Sequence, residues 1–228
     1  MPEVTRALRA LSSAYVERRQ ALARGAALDS AGKRAAFALF YAPLHYLITG
    51  HIVNVLGPGA PDTIVDLGCG TGAAGASWGL TCDRAPRLLG IDRHPWAVDE
   101  TRWTYRQLGL DGRARHGDAA RLRLPRGNVG IVAAYLLNEL DEDARTAVVG
   151  ALLDAARGGG RVLILEPIAR SITPWWNTVR ERIEDAGGRA DEWEIELDLP
   201  PLVATLDRAA RLDHRRVKAR SLFIASSR

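Results

Sequence analysis

The chain changes texture near residue 60. Before that point apolar residues recur at helical spacing; after it, short apolar runs alternate with amphipathic stretches. Val4, Leu8, Leu11 and Tyr15 fall four, three and four apart, with Arg and Glu between them, which lays one apolar stripe along a helix. The stripe predicts packing against the chain's own domain, with a homodimer seam or a membrane surface as the other uses of such a face. The pattern breaks over Gly25 to Gly32 and resumes in FALFYAPLHYLITGHIVNVLG, where Pro43 opens or kinks a helix. Residues 1–57 therefore read as a helical cap.

Residues 58–228 read as a sheet domain. Strands are expected at TIVDL (63–67), RLLGID (87–92), GIVAAYLL (130–137) and RVLILE (161–166), with another ahead of HGDAARLRLP. Helical stretches fall at 72–80, 95–108, 141–156 and 174–186. This alternation predicts an α/β fold, a parallel sheet covered on both faces. In the tail, DEWEIELDL and HRRVKARSLFIAS are strands flanking a helical LVATLDRAARL, which predicts a mixed sheet with one antiparallel strand.

With 228 residues, 47% of them apolar, the chain can build one sizeable core. No uninterrupted apolar run approaches the roughly 20 residues of a bilayer span, and MPEVTRALRALSSAYVERRQ lacks the greasy segment of a secretory signal. Glu3 and Glu17 argue against a transit peptide. Cys69 and Cys82 are too few for a disulfide framework or a tetrahedral metal site, and no metal is expected; a reducing, cytoplasmic setting is. The net charge of +4 invites a nucleic-acid reading, but 29 of the 31 basic residues are Arg, the skew of a GC-rich genome. Arg216, Lys218 and Arg220 alternate along one strand face, either solvated or a phosphate-contacting strip.

The chemistry concentrates in TIVDLGCGTGAAGAS, where Gly70, Gly72 and Gly75 spell the nominal dinucleotide fingerprint. In an open parallel sheet, ligands bind beyond the carboxyl ends of the strands. Asp66 ends the first strand and puts a carboxylate beside Gly68, Cys69, Gly70, Thr71 and Gly72. A pyrophosphate there meets a like charge in a partly desolvated site, whereas an ammonium and a sulfonium are attracted. S-adenosylmethionine carries both and no phosphate. The missing G-K-[ST] removes the P-loop reading. Asp92 ends the second strand, where an acid accepts ribose hydroxyls, a feature shared with NAD sites. Asp118 follows the third strand and can accept from an adenine amino group or cap a helix.

VDLGCGTG, GIDRHPWAV, HGDAARLRLP and LLDAARGGGRVLILEP stand in the order and rough spacing of the class I S-adenosylmethionine-dependent methyltransferase motifs, and the chain resembles that family over about residues 60–170. The resemblance implies a doubly wound seven-stranded sheet, order 3-2-1-4-5-7-6, with the last strand antiparallel. It implies Asp66 and Gly68, Cys69, Gly70 and Gly72 at the methionine part, Asp92 with Arg93 at the ribose, and Asp118 with Ala119 at the adenine. One departure is Gly130, which stands where many members carry Asp.

Methyl transfer needs alignment and water exclusion more than a dedicated base, so the lack of a Ser–His or Cys–His pair does not exclude it. Tyr135, Asn138 and Glu139, at the tip of the fourth strand, are the candidate reaction-centre residues, with Tyr135 also against the cofactor; Glu139 equally suits a helix cap. The [DNS]-P-P-[YF] signature of base-amino methylation is absent. Tyr41, His45, Glu166, Trp175 and Trp176 are candidate walls of an acceptor pocket. A small-molecule acceptor is favoured over RNA. The rival reading is an inactive, cofactor-binding scaffold on RNA or a ribosome precursor, faintly resembling methyltransferase-like ribosomal proteins but without their cysteine cluster. An NAD-dependent dehydrogenase is disfavoured by Asp66.

Overall fold

The computed structural model describes residues 2–17, 28–168 and 173–225. The side chain of Tyr15 and the part of the Gly25–Gly32 break up to residue 27 lie outside the described residues.

One seven-stranded sheet runs β3-β2-β1-β4-β5-β7-β6. Strands β1 (Thr63–Leu67), β2 (Arg87–Asp92), β3 (Gly112–His116), β4 (Val129–Ala134) and β5 (Arg161–Pro167) are mutually parallel. Strand β7 (Arg216–Ala225) is antiparallel to β5 and to β6 (Arg189–Glu196). The central strands are buried on both faces, which is why TIVDL and RVLILE are apolar runs rather than alternations.

Helices cover both faces. Helix α3 (Ala42–Leu56), α4 (Ala73–Thr81) and α5 (Pro95–Gln107) lie on one side, with Ile48, Ile52, Trp78 and Tyr105 packed over Ile64, Val132 and Leu163. On the other side, α6 (Glu142–Arg157) and α7 (Trp176–Asp185) place Val148, Leu152, Trp176 and Ile183 over Ile131, Val162 and Leu222. Asp141 caps α6 by accepting from the Ala144 N–H at 2.8 Å, so Glu139 is not the cap.

The cap consists of α1 (Pro2–Glu17), α2 (Ala31–Ala36), a π-helical turn over Phe37–Tyr41, and α3. Leu8 and Leu11 are fully buried with Phe40 and Leu44 against Val203 and Leu206 of α8 (Pro201–Ala210). Burial of each such side chain stabilises the fold by about 1.5–3 kcal/mol. The stripe on α1 is therefore used inside the chain, and Leu8 and Leu11 offer no seam to a second copy. The continuous helix Ala31–Leu56, 26 residues with an 18-residue stretch of mean hydropathy 1.3, is long and apolar enough to cross a membrane by length and composition alone. Its Phe40, Leu44, Ile48, Ile52 and Val53 are buried within this fold, as in a core helix.

Two expectations need correction. Strand β4 stops at Ala134 rather than Leu137, because Tyr135 turns to φ 59°. The Arg216–Lys218–Arg220 strip is solvated only in part: Arg216 and Lys218 are exposed, Arg216 pairing with Glu194 at 3.1 Å and Glu196 at 3.3 Å, whereas Arg220 is 4% exposed over the Trp176 ring.

Gly130 is explained by packing. A Cβ there would stand 2.9 Å from the Trp78 ring and 3.0 Å from Pro61. Gly130→Ala should lower stability by about 1–3 kcal/mol. Placing there the acid of the family it resembles, Gly130→Asp, should cost about 3–5 kcal/mol by adding an unpaired buried carboxylate; denaturant unfolding of the two variants checks both values.

Candidate active site

The carboxyl ends of β1, β2, β3 and β4 open onto a cavity of about 430 Å³, within the usual ~300–1,000 Å³ of small-molecule sites. Asp66 stands at its floor, 1% exposed. Its Oδ2 accepts the Gly75 N–H at 2.8 Å. A Cβ on Gly75 would lie 2.8 Å from that same oxygen, so the third glycine of the fingerprint gives the carboxyl room. Among the described residues no cation is ion-paired to Asp66. Burial pushes its carboxyl up to about 8; the Gly75 hydrogen bond opposes the shift and the Asp92 charge adds to it.

Asp92 shapes the turn as well as facing the cavity. It accepts the Gly70 N–H at 3.0 Å on Oδ2 and the His94 N–H at 2.8 Å on Oδ1. A carboxylate has about four acceptor positions, leaving two for a ligand hydroxyl pair. Asp118 accepts the Ala120 N–H at 3.0 Å, so it caps a short 3₁₀ turn while lining the cavity beside Ala119. Gly68, Cys69, Gly70 and Arg93 line the cavity too. The Cys69 Sγ accepts from the Thr101 hydroxyl at 3.2 Å, and burial pushes its thiol well up. Gly72 starts α4 from behind, against Thr101 and Tyr105.

The exit from β4 brings two of the three reaction-centre candidates to the wall. Tyr135 and Glu139 line the cavity; Asn138 does not, and points to Glu166 instead. Tyr135 at φ 59° holds a left-handed backbone that costs a bulky residue about 1–3 kcal/mol. Its ring stacks on His45 at 4.0 Å and 21°. Burial holds the His45 imidazole down to about 3, hence neutral, and raises the Tyr135 phenol. Burial likewise pushes Glu139 up to about 7, opposed by the Arg93 charge and reinforced by Asp92.

The remaining pocket candidates are placed elsewhere. Tyr41 lies one layer out, its ring 6.1 Å from His45, with its phenol pushed up to about 12 by burial. Glu166 is 0% exposed and points at the turn after β4. Trp176 is buried under Arg220, 3.9 Å away, and Trp175 lies beneath Arg145 at 5.1 Å, both on the α6–α7 side. They face away from the cavity because Trp176 starts α7 and its ring fills the core there.

Sequence reasoning missed Phe37, whose ring lies 3.2 Å from where a Gly70 Cβ would be, and Leu136, which packs on Gly68. The signal for Phe37 was present: Phe37, Tyr41 and His45 recur every four residues. Among the described residues, no three His, Cys, Asp or Glu side chains converge as a metal site.

Residues 64–160 match the family model of a methyltransferase domain. Over that stretch the chain carries a methyltransferase domain and is similar to the class I methyltransferases. An O-methyltransferase of Pyrenophora dematioidea is 28% identical over 120 residues, covering 52% of this chain and 44% of that protein; the match thus spans less than half of its curated relative. A SAM-dependent methyltransferase from Aquifex aeolicus superposes at TM-score 0.55 with 17% identity over 79% of this chain and 90% of its own. An O-methyltransferase family protein of Burkholderia thailandensis superposes at 0.58 with 17% identity, over 87% and 61%. At these identities the two superpositions speak for the fold. The sheet carries the expected order, and the Aquifex aeolicus protein that shares the fold is SAM-dependent, its cofactor being S-adenosylmethionine.

The residues present suit that cofactor. A buried carboxyl with no ion-paired cation suits a ligand that brings positive charge, and acids at three neighbouring strand ends suit its hydroxyls and amine.

Raised carboxyls make stability fall with pH. Asp66 and Glu166 both have folded values near 8, above their values in the unfolded chain. Between about pH 4 and 8 the folded state holds the extra protons, so stability decreases as pH rises through that window. The ligand-free protein should show Tm falling steadily from pH 6 to 8.5, and Asp66→Asn should flatten the slope in thermal unfolding across that range.

Proposed function

We propose that the chain transfers a methyl group from S-adenosylmethionine to a small, uncharged acceptor. The observation carrying this reading is Asp66, a buried carboxyl facing the cavity with no cation paired to it among the described residues. When bound, the cofactor supplies a methyl group on a positively charged sulfonium. Asp66 attracts the positive charge of the methionine part, Asp92 accepts from the ribose, and Asp118 with the Ala119 backbone meets the adenine.

The small-molecule preference rests on the walls. Phe37, His45 and Tyr135 are uncharged rings carried by the cap and the β4 exit, and they keep water from the reacting end. Of the basic strip of β7, which would have favoured RNA, Arg216 is engaged with Glu194 and Glu196 and Arg220 with Trp176. Glu139 is the side chain that takes the acceptor's proton, since burial tunes its carboxyl close to neutrality.

Calorimetric titration of purified protein with S-adenosylmethionine, with NAD as control, at two salt concentrations, tests the cofactor. We expect binding of the former alone, weakened about 10–100-fold by Asp66→Ala or Asp92→Ala, the loss of a hydrogen bond to a charged group. Unchanged affinity in both variants would remove the assignment. Binding to RNA with a steep salt dependence and no turnover would favour the scaffold instead. Affinity should also rise from pH 6.5 to 8.5, as Asp66 gives up its proton to meet a cationic ligand.

Once an acceptor screen with radiolabelled methyl donor identifies a substrate, the rate should climb with pH through about 7. Glu139→Gln should abolish that limb and slow transfer by about 10²–10⁴-fold; a pH–rate profile unchanged in Glu139→Gln would strip it of the role.

A further inference from the structure

We infer that Glu166, which does not line the cavity, is a positioning residue that sets the active-site wall through the turn after β4. Its carboxyl is fully buried at the end of β5 and accepts three hydrogen bonds from a single turn. Oε1 receives the Leu137 N–H at 2.9 Å and the Asn138 N–H at 3.3 Å, and Oε2 receives the Asn138 side-chain amide at 2.8 Å. One residue earlier the Tyr135 N–H donates to the Leu165 carbonyl at 2.8 Å, so strand β5 holds the turn at two consecutive positions.

The bracket has three outputs, all in the cavity. It fixes Tyr135 in its left-handed backbone, with the ring stacked 4.0 Å from His45. It presses Leu136 onto Gly68, where a Cβ would come within 2.7 Å of Leu136 Cδ1. It also carries Glu139 to the wall facing Asp92 and Arg93. A left-handed aromatic followed by a 3₁₀ turn has no local reason to hold this shape, because neither end of the turn is capped by its own side chains. A buried carboxyl accepting several N–H donors supplies that reason, and orphaning those donors in a dry interior is costly.

The test compares Glu166→Ala, Glu166→Gln and Ile183→Ala, the last a core truncation in α7 remote from the cavity. Two readouts are used: hydrogen exchange at the Leu137 and Asn138 amides in the ligand-free protein, and S-adenosylmethionine affinity by calorimetry. In Glu166→Ala the two amides should lose at least about tenfold protection while Ile131 to Ala133 keep theirs, and affinity should fall about tenfold or more. Glu166→Gln keeps an oxygen for both backbone donors, and the Asn138 amide can turn to accept from the new NH₂, so its affinity should stay within about threefold. Ile183→Ala, even with an equal loss of Tm, should bind like the parent.

Unchanged protection and affinity in Glu166→Ala would overturn the inference. So would an equal loss of affinity in Ile183→Ala at matched Tm, or a Gln variant as impaired as Ala. Should Glu166→Ala not fold, Asn138→Ala removes the single side-chain bond, and a fall of about threefold in affinity is expected; parental affinity would again count against the bracket. The affinity readout rests on the methyl-transfer reading and the exchange readout does not, so a parent that ignores S-adenosylmethionine sinks that reading while exchange still decides the role of Glu166.

Discussion

Taking a carboxylate out of water is the constraint around which this molecule is arranged. Asp66 sits where β1 gives way to the glycine turn, with one backbone N–H for company. In that position the group is either protonated or waiting for a positive charge. Gly75 leaves it space, α4 begins immediately behind it, and the turn over it is tied to Asp92 through the Gly70 amide. A site built on an unmet charge selects its ligand by sign before it selects by shape. That separates a sulfonium cofactor from a pyrophosphate one on nearly the same glycine spacing.

The cavity is made of two halves with different physics. The β1–β3 side is polar, organised by carboxylates that also accept backbone N–H groups of their own turns. The opposite side is aromatic and neutral, with His45 stripped of its proton affinity by burial. Glu139 also lines the cavity, its carboxyl pushed up to about 7 by burial, within reach of the Arg93 and Asp92 charges. On the proposed function, a cationic reactant is held from one side while the other excludes the water that would compete with an acceptor.

How far the sequence could be read follows from how local each signal was. The order of strands and the three acids were legible because each is written in a contiguous run: TIVDLGCGTG, RLLGID, HGDAARL. The end of β4 was not, because GIVAAYLL is apolar to its last residue and the left-handed turn at Tyr135 is imposed from the neighbouring strand by Leu165 and Glu166. Trp175 and Trp176 misled for a similar reason. A tryptophan pair after a strand suits a pocket or a core equally, and only the packing of α7 on Leu222 and Ile224 decides. Arg220 looked like surface because it alternates with Arg216 and Lys218; its cross-strand neighbour Glu166 is invisible in a linear reading, being fixed only by the β5–β7 register.

The π-helical turn at Phe37–Tyr41 inserts its wider winding into the one helix that serves both cap and cavity. Within it, Phe40 belongs to the cap's core, and Phe37 rests on the glycine turn. Architecture and selectivity are therefore written on adjacent residues of one rod. A change to this wall would have to proceed by exchanging side chains along that rod's inner edge, since an inserted segment there would unseat the cap. This chain has tied the aromatic wall of its cavity to its own foundations.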